Sequence, residues 1–402
     1  MNIKSLLLGS AAALVAVTGA RAADVIVPVE EPVEYVRVCD VYGTGFYYIP
    51  GTETCLKIGG YVRFKYIVNG PLQDDNGADF LSNKEGDDYR AYSRVRVRLN
   101  FDAREETELG TLRAVARVQA ENNAYSAPNT DAAYAMDLGY IQLGGLTMGY
   151  LDTLWTDGDG LLTDTDLAVG DFQVNRVSYT YAANGFTAAL SLEDDGTGDF
   201  APDVVGRLAY EGGWGSVYLA GSYDERVDAF TFASTTGFGI DGDSDGAFAL
   251  KGALSLKDLV ATDSELKFEG SYAFDPSLYS SIGIFNNGVY PTRISTAADN
   301  IAVEWQAGAG YAQSFGKLAV GLSGAYGETF DFRDYDTLNA RFFDAGKADY
   351  YKLVANVGYE ITNNFDMLAE ISYADFDFDG GNGAFDNSLD QTSGFIQFVR
   401  SF

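Results

Sequence analysis

The chain has 402 residues, among them 46 glycines, 27 tyrosines and 26 phenylalanines, but only 8 prolines and no histidine. Aromatic and glycine enrichment is typical of strands joined by turns, and the formal net charge of −31 argues against nucleic-acid binding, which needs a basic surface. Without histidine the usual base of Ser-His and Cys-His catalytic sites is missing, so we predict that the protein is not an enzyme.

The N-terminus has the pattern of a secretory signal peptide. Lys4 precedes an apolar run from Leu6 to Val17, and Ala20 and Ala22 form a small-x-small cleavage signal, so we expect the mature chain to begin at Ala23. An amphipathic N-terminal helix is the alternative, but the run is apolar on every side. It is also shorter than the roughly 20 residues that a spanning helix needs, and no later segment is long and apolar enough. The sequence therefore excludes a helical membrane protein.

Two cysteines follow, Cys39 and Cys55, and they are the only cysteines in the chain. They lie close together in a chain that we expect to enter an oxidising compartment, so a disulfide is predicted. Closing a loop of this size would contribute roughly 3 kcal/mol in the chain-entropy model. The alternative is a pair of buried free thiols.

From there to the C-terminus, segments of alternating polar and apolar residues recur. In the clearest of them Arg94, Arg96 and Arg98 alternate with apolar residues, so that one face of a strand carries positive charge and the other is apolar. The segments predict about sixteen strands, near Leu56–Val68, Tyr89–Phe101, Thr111–Ala120, Ala135–Leu143, Leu146–Leu151, Val174–Tyr181, Phe186–Leu192, Val204–Tyr210, Ser216–Tyr223, Ala247–Leu256, Glu265–Phe274, Ile301–Gln313, Leu318–Tyr326, Tyr350–Tyr359, Met367–Tyr373 and Thr392–Phe402.

The connections between these segments alternate in length. Asn69 to Asp88 and Leu151 to Gln173 are long, whereas Ala182 to Gly185 and Ser314 to Lys317 are short, a rhythm typical of up-and-down outer-membrane barrels. Each arginine facing lipid near the midplane would cost roughly 2 to 4 kcal/mol, so the arginine row should face water. An interior enclosed by about sixteen strands is wide enough to be an aqueous channel. A soluble protein of several sandwiches would explain the alternation but not the rhythm.

A resemblance to the alphaproteobacterial general porin family begins at Cys39, where the chain reads C-D-V-Y-G-T-G-F-Y-Y-I-P-G-T-E-T-C-L-K-I-G-G-Y-V-R-F to Phe64. The last strand, G-F-I-Q-F-V-R-S-F, resembles the terminal strand of outer-membrane barrels, whose final aromatic residue, here Phe402, is read by the assembly machinery. Arg400 departs from that pattern because it shares a face with Phe398 and Phe402, although an arginine near an interface can snorkel. The resemblance implies a sixteen-stranded trimeric diffusion channel whose third external loop folds into the lumen.

We therefore predict an all-β fold, a transmembrane antiparallel up-and-down β-barrel of about 16 strands in the cell outer membrane, with an inserted constriction loop. Residues 1–22 would be the signal peptide, residues 23–55 a periplasmic N-terminal segment with the disulfide loop and an acidic stretch at Pro28–Glu34, and residues 56–402 the barrel. Expected partners are two further copies in a homotrimer, outer-membrane lipid and lipopolysaccharide, the barrel-assembly machinery through the strand ending in Phe402, and small hydrophilic solutes.

The segment from Leu151 to Gln173 has the composition expected of the inserted loop. Large apolar residues such as Trp155 and Leu161 need a surface to pack on, and the inner barrel wall is available. The segment Asp275–Asn300 is a rival for the same role, although family position favours the first. The predicted acidic side of the constriction comprises Asp152, Asp157, Asp159, Asp164, Asp166 and Asp171.

A basic wall should face this loop from the first three strands, which are neighbours in sequence and hence in space. Opposed rows of arginine and aspartate would set up a transverse field across the narrowest part of the pore. In the alternative reading these arginines pair with loop carboxylates to hold the barrel shape, and both roles are compatible. The predicted basic wall comprises Arg63, Lys65, Arg90, Arg94, Arg96, Arg98, Arg113 and Arg117.

We predict no cofactor apart from weakly bound Ca²⁺ in acidic loops. The stretch D-G-D-S-D-G from Asp241 to Gly246 copies the start of a calcium loop, but Gly252 stands where the bidentate glutamate belongs, which favours an acidic solvated loop. The predicted function is a weakly cation-selective porin for passive diffusion of small hydrophilic solutes and ions. The alternatives are a surface adhesin or envelope-structural barrel, and a substrate-specific channel.

Overall fold

The computed structural model describes residues 37–74, 86–123, 134–196, 198–225, 239–240, 246–285, 301–336, 341–378 and 388–402. Described residues from Val38 onward belong to one unit, Val38–Phe402. The predicted signal peptide, the acidic stretch Pro28–Glu34 and most of the D-G-D-S-D-G segment lie outside the described residues.

Sixteen long strands, each antiparallel to and hydrogen-bonded with the next, dominate the described chain. They are β1 (Cys55–Asp74), β2 (Arg90–Thr107), β3 (Gly110–Asn123), β4 (Ala135–Leu143), β5 (Leu146–Asp152), β6 (Gln173–Ala183), β7 (Phe186–Glu193), β8 (Asp203–Gly212), β9 (Gly215–Asp224), β10 (Ala247–Lys257), β11 (Ser264–Ala273), β12 (Ile301–Phe315), β13 (Leu318–Thr329), β14 (Ala348–Thr362), β15 (Phe365–Phe378) and β16 (Leu389–Ser401).

The sheet closes on itself because β16 pairs with β1, with Phe398 opposite Phe64 and Ser401 opposite Tyr61. At the seam the Phe402 amide donates to the Gly60 carbonyl at 3.0 Å, and the Gly60 amide donates to the Phe402 carbonyl at 3.1 Å. A closed sheet leaves no edge of unpaired backbone groups, which is the condition for strands to lie in hydrocarbon. The predicted barrel is confirmed.

The wall has an apolar outside and a polar inside, as the alternation in the sequence requires. On β1 the apolar Val62, Phe64 and Tyr66 are exposed, whereas Arg63 and Lys65 between them are only partly accessible and reach groups of the interior. Arg400 lies opposite Val62 on the outer face, close to the last turn of the barrel, where its guanidinium donates to the Asn364 carbonyl at 3.3 Å.

Short turns join alternate strand pairs, and their sequences explain the tight geometry. Between β6 and β7 both Asn184 and Gly185 have positive φ, 51° and 82°, which is the backbone of a type I′ hairpin. The other end of the barrel carries the long connections, including residues 153–172 between β5 and β6 and residues 274–300 between β11 and β12. Several strands run past the predicted ends, because the ladder with the neighbouring strand continues into the loop region. In β1, for example, pairing with β16 extends to Asp74.

The N-terminal segment before the barrel packs on the inner wall at the short-turn end. Cys39 and Cys55 are joined in a disulfide with a Cα–Cα distance of 6.0 Å, which confirms that prediction. A two-residue strand, Tyr47–Tyr48, pairs with the start of β1. The Arg104 guanidinium of β2 lies 5.0 Å from the ring centre of Phe46, so the segment is held by side chains of the wall as well as by the disulfide.

Smaller elements complete the described fold. Two 3-10 turns, Leu154–Thr156 and Leu278–Ser280, lie in the long connections, and the short strand Ser281–Ile282 pairs with β12. A separate small sheet contains Gly239–Ile240, Phe332–Asp336 and Arg341–Gly346. Across the residues that the structure describes, no helix is both long and apolar enough to cross a membrane.

Candidate functional site

The inserted loop, residues 153–172, lies against the inner face of the barrel. The ammonium of Lys251 on β10 contacts Asp159 Oδ2 and the Val169 carbonyl, both at 3.0 Å. On β11, Lys267 donates to the Gly158 carbonyl at 2.7 Å. These wall lysines are buried, whereas Leu250, beside Lys251 on the same strand, is exposed on the outer face. The loop therefore occupies the barrel interior on the β10–β11 side.

Two glycines of β12 admit the loop at its closest approach to the wall. A Cβ atom on Gly308 would lie 2.4 Å from Leu161 Cδ1, and one on Gly310 would lie 1.8 Å from the Leu161 carbonyl oxygen. Leu161 is only 1% exposed, and the next residue, Leu162, has φ of 75°, a conformation that is costly without glycine. Tight docking on β12 fixes this part of the loop.

A buried carboxylate of β7 holds the start of the loop. Glu193 is 0% exposed and accepts hydrogen bonds from Thr153 Oγ1 at 2.6 Å and from the Leu154 amide at 2.9 Å. Tyr279 donates its hydroxyl to the same carboxylate at 3.1 Å. Glu193 was not predicted from the sequence, although the alternation along its strand indicates that it lies on the inner face.

The rival segment lies beside the inserted loop instead of replacing it. The Tyr279 ring makes edge contacts with Trp155 and Phe172, at centroid distances of 6.0 and 5.2 Å. The Gly170 amide donates to the Ser281 carbonyl at 2.8 Å. The described part of the second connection thus supports the first, while residues 286–300 lie outside the described residues.

The six predicted acidic residues of the loop fall into different environments. Asp157 pairs with Arg207 of β8 at 3.2 Å, Asp159 with Lys251, and Asp164 with Lys65 of β1 at 3.0 Å. The others make local contacts or are exposed: Asp166 accepts from the Leu161 amide, Asp152 accepts from Gln173, and Asp171 is exposed.

Two loop carboxyls have perturbed protonation. Burial raises the pKa of Asp166 above its usual range, although the Leu161 and Thr163 amides that donate to it act in the opposite direction. Although Asp171 is exposed by surface area, the surrounding protein partly desolvates its carboxylate and so raises its pKa, and the negative charges of Asp159 and Asp152 add to that effect. Both groups lose their charge at a higher pH than an ordinary aspartate.

The basic row lies on the inner face of β1, β2 and β3. Three of its arginines, Arg63, Arg94 and Arg96, contact the same carboxylate. Glu121 of β3 contacts Arg96 at 2.6 Å and both Arg63 and Arg94 at 3.5 Å. In the strand register Arg96 lies between Arg63 and Glu121, so three guanidinium groups share a single negative charge.

Arg98, Arg113 and Arg117 of the row contact other wall carboxylates. Arg98 and Arg117 both contact Asp137 of β4, Arg98 at 3.4 Å. Further along, Arg113 contacts Asp102 at 3.0 Å, and that carboxylate also pairs with Arg104. Arg90 begins β2 opposite Asn69 of β1.

The partners of the basic row thus differ from those that sequence reasoning considered. Wall carboxylates of β2, β3 and β4 bind most of the arginines, and the ion pair between Lys65 and Asp164 joins the row to the inserted loop. The arginine side chains remain partly accessible, from 16% for Arg63 to 29% for Arg113. The interior therefore has a basic side on β1–β3, while the inserted loop is fixed mainly to other strands, from β7 to β15, and reaches the basic side through Asp164.

One group of carboxylates outside this region has oxygens close enough to share a cation. Asp195, Asp199 and Glu225 offer oxygens within 4.8 Å of one another near the ends of β7, β8 and β9. It is distinct from the D-G-D-S-D-G segment considered from the sequence.

The chain is similar to known outer-membrane proteins over most or all of its length. The family model described as Porin subfamily matches residues 24–393. Porin Omp2b of Brucella neotomae is 34% identical over 433 residues, covering 100% of each chain. The outer membrane channel DcaP of Acinetobacter baumannii superposes with a TM-score of 0.58 at 15% identity, covering 88% of this chain and 99% of that one. OmpT, an outer membrane protein of Vibrio cholerae in its trimer form, gives a TM-score of 0.50 at 13% identity, with 87% and 100% covered.

Proposed function

The chain belongs to the porin subfamily and is an outer-membrane β-barrel channel rather than an enzyme, and from this premise we propose that it carries small hydrophilic solutes and ions by passive diffusion with a weak preference for cations. The observation that supports the proposal best is the position of the inserted loop. Lys251 and Lys267 fix it to one side of the interior, while the arginines of β1–β3 stay partly exposed on the other.

The charges on the two sides suit polar solutes. Arg94, Arg96 and Arg98 lie on one side, and exposed carboxylates such as Asp157 and Asp171 lie on the loop. A field between them, next to walls of low dielectric, orients dipolar and zwitterionic solutes and ordered water. An apolar solute has to disrupt that water and gains no compensating contact.

The cation preference follows from charge balance. Inside the barrel, wall carboxylates such as Glu121 and Asp137 offset part of the arginine charge, and loop aspartates offset more. The chain as a whole has 58 acidic residues against 27 lysines and arginines. Because the interior is close to balanced, the acidic excess should concentrate cations at the mouths.

Planar-bilayer recording of the purified protein tests the proposal. We expect open channels whose conductance grows with salt concentration, and a reversal potential in a KCl gradient displaced modestly toward that of potassium. A barrel that inserts without conducting would favour the adhesin or envelope-structural alternative. Currents that saturate with one solute would favour a substrate-specific channel.

We further propose a homotrimeric assembly, cleavage of the signal peptide and several binding partners. The trimer form of the similar Vibrio cholerae protein supports a homotrimer, which should run on gels as a heat-modifiable band. If residues 1–22 are removed as a signal peptide, N-terminal sequencing of the mature protein should find Ala23 first. Recognition of Phe402 by the barrel-assembly machinery, contact with lipopolysaccharide and weak Ca²⁺ binding in acidic loops are further expectations.

A further inference from the structure

A cavity of about 100 Å³ lies inside the barrel beside the tip of the inserted loop. A single water needs roughly 10 to 15 Å³ of such space, so the cavity can hold a small polyatomic ion or several waters. Its lining includes groups from β1, β2, β15, β16 and the loop: Lys65, Arg94, Ser372, Ser393, Phe395 and Thr165. We call this cavity the β1–β16 niche.

Positive charge at the niche exceeds the negative charge that pairs with it. The Lys65 ammonium lies 3.0 Å from Asp164 and 3.4 Å from the ring centre of Phe395. Arg94 contacts Glu121 at 3.5 Å, but that carboxylate also serves Arg63 and Arg96. Since one carboxylate cannot neutralise three guanidinium groups, Arg94 retains charge for an anion.

Two hydrogen-bond donors of the niche are buried without a partner among the described residues. They are Nε of Arg94 and Oγ of Ser393, and Ser393 as a whole is 5% exposed. Each can donate a hydrogen bond, and the Lys65 ammonium has more donors than its pairing with Asp164 uses. A ligand with several acceptor oxygens and no need to donate satisfies such a set.

The one carboxylate that lines the niche is engaged elsewhere. Glu370 accepts from Thr165 Oγ1 at 2.7 Å and from the Asp164 amide at 2.8 Å, both in the inserted loop. Asn356 donates to the same group at 3.2 Å. Glu370 therefore holds the loop that closes the niche, and its oxygens already accept three hydrogen bonds.

We propose that the β1–β16 niche binds a small oxyanion, of which inorganic phosphate is the fitting example. Lys65 and Arg94 supply the charge, and Ser393 and Arg94 Nε supply hydrogen bonds that the protein leaves unmade. The inference rests on the proposed channel only for access, because the ion reaches the niche from the lumen. Oxyanions would then dwell in a channel that otherwise favours cations.

Calorimetric titration of the folded, detergent-solubilised full chain with inorganic phosphate at low ionic strength tests this. We expect saturable binding of one phosphate per chain, weakened at least tenfold by Arg94→Gln and by Ser393→Ala. Arg98→Gln changes an arginine of the same strand that pairs with Asp137 and Gln119, and should leave binding unchanged. Ser191→Ala removes another buried hydroxyl, on β7, that has no partner in the described part of the chain, and is the matched control for Ser393.

Binding that is not saturable, or that the niche and control variants weaken equally, overturns the proposal. Should Arg94→Gln fail to fold, Ser393→Ala together with the charge-preserving Arg94→Lys decides the matter, since the latter removes the Nε donor. Bilayer recording on the same sample separates the two hypotheses: a conducting barrel without saturable phosphate binding refutes the niche alone, and a closed barrel that binds phosphate refutes the channel alone. A parallel titration with glycerol phosphate shows whether the niche takes free phosphate only or also the phosphate group of a larger solute.

Discussion

Three arginines of the basic row share the negative charge of Glu121. Its replacement by glutamine preserves shape but leaves Arg63, Arg94 and Arg96 without their shared negative charge. We predict that Glu121→Gln shifts the reversal potential in a salt gradient toward anions. The shift should shrink near 1 M salt, where the Debye length is roughly 3 Å.

The control for that change is Glu211→Gln, which removes an equal charge from an exposed residue at the short-turn end of β8. If both substitutions move the reversal potential equally, overall charge sets selectivity and the basic row has no special position in the pore.

We expect the charge of Asp171 to make ion selectivity depend on pH. Because partial desolvation of its carboxylate and the neighbouring Asp159 and Asp152 raise its pKa in the folded protein, Asp171 becomes neutral at a pH above the usual aspartate value of about 3.9. We predict that cation preference declines as the pH falls through this window, and that Asp171→Asn lowers the preference at neutral pH and reduces its change with pH. Reversal potentials recorded from pH 7 to pH 4 measure both effects, and identical pH profiles for the two proteins would contradict the prediction.

At the scale of elements, β12 is shaped to receive the inserted loop. A methyl group at residue 310 would lie 1.8 Å from the Leu161 carbonyl, a backbone atom that cannot rotate away. We predict that Gly310→Ala displaces the loop and increases single-channel conductance while the barrel still folds. Gly206→Ala on β8 is the matched control, since its added carbon meets nothing within 4 Å. Equal conductance in both variants would show that the docked loop does not limit current.

The disulfide ties the N-terminal segment to the first residue of β1, and the short strand Tyr47–Tyr48 pairs the segment with the barrel sheet only at that end. We predict that Cys39→Ser with Cys55→Ser speeds proteolysis around Tyr42 and Phe46, because loss of the cross-link frees the segment from the wall. The heat-modifiable barrel band should persist, since the strands keep their closed hydrogen bonding. Loss of that band under the same conditions would mean that the segment is required for the barrel itself.

How far the sequence predicted these elements depends on the range of the interactions. All sixteen strands were predictable because a period of two is local and each strand separates lipid from water. Wall carboxylates such as Glu121 and Asp137 were within reach of the same reasoning, since Asp137 falls on an inward position of the fourth segment and Glu121 continues the inward alternation one residue past the third. The partners of the loop were not, because Arg207 and Lys251 become neighbours of Asp157 and Asp159 only after the barrel closes.

At the scale of the whole molecule, the barrel divides its interior between two surfaces. The inserted loop docks on β7, β8, β10–β13 and β15 through contacts such as Lys251 with Asp159 and Glu370 with Thr165. The basic row covers β1–β3 and pairs chiefly with wall carboxylates. We propose that the aqueous path runs between these surfaces.

Thiol modification during single-channel recording tests whether the aqueous path runs along the basic row. The native cysteines are joined in a disulfide, so a cysteine introduced at residue 96 or 95 would be the only free thiol. We predict that a charged methanethiosulfonate reagent added to the aqueous phase changes the current through Arg96→Cys, whose side chain faces Glu121 in the interior, and leaves Val95→Cys, exposed on the outer face, unchanged. Modification that alters the current of Val95→Cys while sparing Arg96→Cys would contradict the assignment of the pore.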